Sequence, residues 1–226
     1  FYLNEFNTLV LEDISYMLAN SKIEIIDFYD LNTKQVVNMS HLFENCSSLI
    51  SVDTSSIDTS KVKDMSYMFD SCFSIISLDI NNFDTKQVVN MSHLFHQCET
   101  LLELNINNFD TRNVEDMSFM FDNCSTLRYL DISSFVTSKV KNMENMFRQV
   151  RLEYIDVNHF DFGNVESTAG LFDSCTKLIE VNITNLNTQN NKDMSRMFAN
   201  CIVLSKINID NIITDKVENM SSLFDE

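Results

Sequence analysis

One string constrains this chain more than anything else in it. Met117-Ser118-Phe119-Met120-Phe121 recurs with its first position at Met39, Met65, Met91, Met117, Met143, Thr168, Met194 and Met220, and in degraded form at Ile14. The steps are 26 residues, apart from two of 25, Ile14 to Met39 and Met143 to Thr168. A fixed period of this size is the mark of a solenoid, in which each unit buries its apolar face only by stacking on the next. The chain therefore reads as one array of about eight to nine repeats over residues 1–226. It starts and stops inside a repeat, and so reads as a segment of a longer protein.

Within the unit around Met117 the pattern changes twice. Asp110 and Thr111 have side chains that bond back to the main chain and close a turn. Asp116 is placed as a helix cap, and Met117, Met120, Phe121 and Cys124 fall at i, i+3, i+4 and i+7, the apolar face of a short helix. The period then becomes two: Leu127, Leu130 and Ile132 point inward, Tyr129 and Asp131 outward. The expected architecture is an α/β repeat solenoid, leucine-rich-repeat-like, each unit a turn, a short helix and a short parallel strand.

The strand motif L-x-x-L-x-L, read with D-M-S-x-M-F before it and F-D-T after it, resembles the 26-residue BspA-like leucine-rich repeat of bacterial surface proteins. The resemblance covers essentially the whole chain. It implies a cell-surface module, since several proteins with this repeat act as adhesins for matrix proteins or other cells.

Composition narrows the partners. A net charge of −17 opposes phosphate backbones and anionic membranes, so no nucleic acid and no direct membrane insertion are expected. No apolar run approaches the ~20 residues of a membrane span.

Six cysteines would ordinarily suggest disulfides or a metal. Here all of them, Cys46, Cys72, Cys98, Cys124, Cys175 and Cys201, occupy one column, seven residues after their anchors. They read as a structural ladder of small buried hydrophobes. Disulfides between neighbours would require Cα atoms within about 7 Å. His93, His96 and Cys98 invite a metal reading, but Cys98 belongs to the buried column, and His96 shares a column with Asp70 and Asp122, where an ionic contact explains it. No metal, no cofactor and no catalytic constellation is expected, although an enzyme domain could lie outside this segment.

The outward strand positions are free to vary, and recognition belongs there. Tyr129 and Tyr154 are neighbours in one such column, flanked by Glu103 and Glu180, and the next outward column carries Asp131 and Asp156. Paired aromatics ringed by charge suit a recognition site, while a solvated sheet face in which tyrosine simply favours strands is the competing and simpler reading. Calcium on the Asp/Asn column is disfavoured, because a flat ladder does not converge enough oxygens.

The unit at Met143 is irregular over about residues 143–172: Val150 replaces the cysteine, one residue is missing before Leu152, and Gly163 and Gly170 are the only two glycines of the chain. A bend and simple erosion are both open readings. N-x-[ST] sequons stand at Asn38, Asn45, Asn90, Asn123, Asn182 and Asn219, and three of them, Asn38, Asn90 and Asn219, are cap positions where a glycan would compete with capping. That favours a bacterial-type cell surface, or the cytosol, over a eukaryotic secretory route.

The favoured function is a non-enzymatic, adhesin-like surface array presenting its sheet face to a protein or glycan. The alternative is a structural spacer or assembly subunit packing laterally, or through its uncapped ends.

Overall fold

The computed structural model describes residues 10–28, 31–184, 186–209 and 212–225. The chain winds as a β-solenoid, one coil per repeat. Seven short strands are formed among the described residues: β1 (Ile25–Asp27), β2 (Ser51–Asp53), β3 (Ser77–Leu78), β4 (Glu103–Leu104), β5 (Tyr154–Asp156), β6 (Glu180–Ile183) and β7 (Lys206–Ile209). All pairing is parallel and in step with the repeat, so that Tyr154 stands opposite Glu180 and Glu180 opposite Lys206. The pairs are β1–β2, β3–β4 and β5–β6–β7. No strand forms over residues 129–131, the coil between β4 and β5.

The expected helix is absent: no helix occurs among the described residues. Its place is taken by a staircase of turns. Met117, Phe119, Phe121 and Asn123 send their N–H groups to the carbonyls of Asn142, Glu144, Met146 and Arg148 in the next coil, at 2.8–3.0 Å. The amides between them, Met120, Asp122 and Cys124, close tight turns onto Met117, Phe119 and Phe121 in their own coil. A helix would direct every amide four residues back and leave the coils unjoined on this side. The alternation requires positive φ at every second turn, as at Phe119 (+56°) and Asn123 (+57°), and 16 described non-glycine residues adopt it. Left-handed backbone costs roughly 1–2 kcal/mol per such residue, and the bonds to the neighbouring coil over-determine it. Successive turns share the three- and four-residue spacing of a helix, which is why Met117, Met120, Phe121 and Cys124 are all fully buried as expected.

Asp116 caps a turn rather than a helix: its Oδ1 accepts the N–H of Ser118 at 2.8 Å. The sequon asparagines do the same, Asn38 for Ser40, Asn90 for Ser92 and Asn219 for Ser221, each at 3.0 Å. This column alternates Asp13, Asn38, Asp64, Asn90, Asp116 and Asn142 from coil to coil, joined by parallel bridges. The alternation keeps like charges from standing side by side.

The core is built of continuous columns. The phenylalanines from Phe43 to Phe224 stack coil on coil with ring centroids 5.2–6.0 Å apart. All six cysteines are buried free thiols, so the column holds no disulfides. Each acts as a small polar peg: Cys98 and Cys124 donate their S–H to the carbonyls of Phe69 and Phe95, one coil back, at 3.1 Å. The buried Thr111 hydroxyl works likewise, accepting the Val136 N–H at 2.7 Å and donating to the Val136 carbonyl at 2.9 Å. Among the described residues no helix is long and apolar enough to cross a membrane.

Gly170 does not interrupt the bonding between coils. Gly170 sits in the left-handed column with φ +61°, and the side-chain amide of Asn145 occupies the space its Cβ would need. The coil continues through it, with Gly170 N–H bonded to the Ser195 carbonyl at 2.8 Å. The irregularity falls on the sheet side instead. Where the regular coils turn the corner through a Cys-x-x-Leu or Cys-x-x-Ile step, closed in the preceding coil by the Leu127 N–H on the Cys124 carbonyl, the Val150–Leu152 corner is one residue shorter, as is Ser21–Ile23 in the first coil.

Candidate binding cleft on the sheet face

Beside that shortened corner the strand ladder is open. The backbone N–H groups of residues 128–132 make no bond to a neighbouring coil. Leu130 is only half-buried, although its counterparts Leu104 and Ile155 lie 8% and 4% exposed. The opening is a cleft of about 890 Å³ running between the two coils.

Four of the six expected recognition residues line it: Tyr129, Asp131, Tyr154 and Asp156. Tyr129 (74% exposed) and Tyr154 (51%) stand on adjacent coils with their faces available. Glu103 lies on the far side of Tyr129, in a smaller groove of about 220 Å³ that shares Tyr129 and Asp131 with the cleft. Glu180 is outside both; it is opposite Tyr154 in the sheet and is tied to Lys206 by an ion pair.

Each aspartate uses one oxygen to hold the loop that follows it. Asp131 Oδ1 accepts the N–H of Ser133 at 3.0 Å, and Asp156 Oδ1 that of Asn158 at 2.9 Å. The bonds from Ser133 keep the Asp131 carboxyl below the usual carboxylate range. The Tyr154 hydroxyl lies 3.4 Å from Asp156 Oδ2. Its pKa is raised, first by desolvation and then by the Asp156 charge.

Sequence reasoning missed the other half of this cleft. Arg128, Arg151 and Lys177 line one end, and His159, its Nε2 donating to the Ile132 carbonyl at 3.0 Å, the other. Arg151 lies in the irregular unit, between Val150 and Leu152. The signal that could have found the group is the clustering of three cations, from two neighbouring corners and the strand start of the coil before them, in a strongly acidic chain.

The turn face carries two further ladders. Tyr16, His41, Tyr67, His93 and Phe119 stack in one column, with ring centroids 4.1–4.5 Å apart and planes within 11°. Beside it, His96 lies between Asp70 (Nδ1 to Oδ1, 2.8 Å) and Asp122 (Nε2 to Oδ2, 3.4 Å), the ionic contact that the shared column implied. Burial works against the charged ring, but hydrogen bonds to Asp122 and Asp70 outweigh it and raise His96 to about 9. His93 is pushed the opposite way, to about 4, by burial and by the His96 charge. Cys98, whose thiol is bonded to Phe69, takes no part, so the three residues do not converge as ligands. No group of three or more potential metal ligands occurs among the described residues.

No curated protein matches this chain. Two solved structures are similar to it. One is a leucine-rich repeat protein from Bacteroides ovatus, at 16% identity and a TM-score of 0.36, with 89% of this chain and 63% of that one covered. The other is a leucine-rich cell-surface protein from Faecalibacterium prausnitzii, at 13% identity and a TM-score of 0.28, with 88% and 83% covered. This chain thus spans less than two thirds of the Bacteroides protein. A family model matches in three successive blocks, residues 2–77, 72–152 and 150–226. The chain belongs to that family, described as Mycoplasma protein of unknown function, DUF285.

Proposed function

We propose that this array is a non-enzymatic binding module of a cell-surface repeat protein, and that its sheet face receives a protein or glycan partner at the cleft between Tyr129 and Tyr154. The observation that carries the reading is the coincidence of an opened strand ladder, a cleft of about 890 Å³ and two exposed tyrosines on adjacent coils. Exposed aromatics supply large contact area for little lost side-chain freedom. The BspA-like pattern of the repeats supports surface display. The capping use of Asn38, Asn90 and Asn219 supports a setting without eukaryotic N-glycosylation. The four imidazoles are held by stacking, by carboxylates or by a main-chain carbonyl, which favours binding over catalysis.

The test is a panel of immobilised proteins and glycans probed with the intact chain and with Tyr129→Ala/Tyr154→Ala. The double variant should lose binding while keeping its melting temperature. Unchanged binding would overturn the proposal.

A second reading, lateral packing as an assembly subunit, is favoured by an aliphatic stripe on the same side, Ile50, Ile76 and Leu102, each about half exposed. Association that is insensitive to the tyrosine pair and abolished by Ile76→Lys in sedimentation would support it.

A further inference from the structure

The cleft has a chemical polarity that the tyrosines alone do not explain. Arg128, Arg151 and Lys177 gather, with the single carboxylate of Glu153, at the end where the chain enters the strands, and Asp131 and Asp156 at the end where it leaves them. Several other cations of this chain are neutralised coil to coil: Lys141 by Glu115, Lys192 by Glu166, Lys206 by Glu180, Arg196 by Asp173. Arg128, Arg151 and Lys177 are exposed and have no ion-pair or hydrogen-bond partner among the described residues. Three unspent cations at one spot of a chain with net charge −17 form a local positive field bounded by acidic surface.

From this we infer that the cleft takes an acidic saccharide, a sugar bearing a carboxylate or sulfate, with its anionic group on Arg128, Arg151 and Lys177, its rings against Tyr129 and Tyr154, and its hydroxyls on Asp131 and Asp156. The inference rests on the proposed function and names the ligand of the same site. Guanidinium groups bind carboxylate and sulfate oxygens through paired N–H donors. Tyrosine rings offer a flat apolar surface with a polar rim, suited to the C–H face of a pyranose. Asp131 commits Oδ1 to its own loop and keeps Oδ2 as a hydroxyl acceptor, while Asp156, whose Oδ2 lies 3.4 Å from the Tyr154 hydroxyl, would exchange that contact for a sugar hydroxyl.

Position along the strand sets the length. From residue 128 to residue 131 an extended chain advances roughly 10 Å, enough to separate the anionic group from hydroxyl contacts by more than one ring. An acidic peptide fits less well: Glu103, Asp131, Glu153, Asp156 and Glu180 line or flank the path and would repel carboxylates beyond the first. A ligand charged at one end and hydroxylic along the rest meets both halves of the cleft.

The test is isothermal titration of the intact chain with four probes: 3′-sialyllactose (one terminal carboxylate), 3′-sulfolactose (one terminal sulfate), neutral cellohexaose, and a hexaglutamate peptide. The expected result is binding of one or both acidic saccharides, weakening with added salt and at least tenfold weaker in R128Q/R151Q/K177Q. The two acidic probes separate carboxylate from sulfate. If the triple variant melts early, K177Q alone and the salt dependence of the unaltered chain carry the same comparison. Tighter binding of hexaglutamate, equal binding of cellohexaose, or indifference to the cations would overturn the inference. If neutral sugar or peptide binding depends on the tyrosines and not on the cations, the proposed function stands and only the ligand class falls. Failure of every probe would overturn the ligand class, and the protein and glycan panel then decides the face itself.

Discussion

Asn191 and Thr168 are departures in two separate columns, and they meet in the core: Asn191 Nδ2 donates to Thr168 Oγ1 at 3.2 Å. Neighbouring coils place valine where Asn191 stands and methionine where Thr168 stands, and both departures are fully buried. The pairing is incomplete, because Asn191 Oδ1 has no partner. Thr168→Val alone should cost about 1–3 kcal/mol, since it strands the remaining amide donor. Thr168→Val with Asn191→Val should be close to neutral or stabilising, because neither polar group is left. Chemical denaturation of the two singles and the double closes the cycle, and additive losses would contradict direct coupling.

Protonation of the turn face gives a second expectation. His96 titrates near 9 in the folded chain and near 6.5 when unfolded. Its contribution is therefore complete below about pH 6.5 and lost as the pH rises through about 9. His93, depressed to about 4, acts in the opposite sense and loses stability as the pH falls from about 6.5 toward 4. Together these two groups favour the fold most near pH 6.5. Denaturation midpoints measured across pH should show both limbs, and Asp122→Asn should flatten the alkaline one. An alkaline limb unchanged by Asp122→Asn would rule out this assignment.

Alternation in the Asp/Asn column is open to a direct test. Asn90 lies between Asp64 and Asp116 in neighbouring coils. Asn90→Asp would set three carboxylates in a row about 4.8 Å apart. The cost should be on the order of 1 kcal/mol at low salt, shrinking in added salt and below the carboxylate pKa. Asn90→Ser keeps the turn cap and should lack the pH and salt dependence. Identical behaviour of the two variants would show that capping, and not charge, sets the column.

Thiol chemistry follows from the peg geometry. The buried Cys98 is pushed up to about 12, chiefly by desolvation, and the thiolate is the reactive form. Burial also raises Cys72, Cys124 and Cys175, so a thiol reagent at pH 8 should leave these four essentially unlabelled in the folded array and react with all six cysteines once it is denatured. Cys124→Ser should cost less than Cys124→Ala, because the hydroxyl can still donate to the Phe95 carbonyl. Rapid labelling of those four in the folded chain would disprove the packing of this column.

Much of this architecture was legible because repetition supplies its own alignment: periodicity located the Met, Phe, Cys and Leu columns of the core, and four of the six recognition candidates line the cleft. It misled at the turn staircase. Burial pattern reports which side chains point inward, and a helix and a chain of turns share that pattern. The difference lies in where each amide points, which depends on φ at residues such as Phe119 and Asn123 and on a neighbour 25 or 26 residues away. Arg128, Arg151 and Lys177 escaped notice for a related reason. Arg128 follows its strand leucine whereas Arg151 and Lys177 precede theirs, so the three share no one column although they line one opening.

The alternating amides also set how the array would respond to force. Four of the amides around Met117 bond to the following coil, in a row across its width. A pull on the chain ends peels these rows one coil at a time, because each coil is held only by its neighbours. Every release frees about 26 residues, roughly 90 Å of extended chain. Stretched in a single-molecule instrument, the array should lengthen in steps of that size and recover them on relaxation.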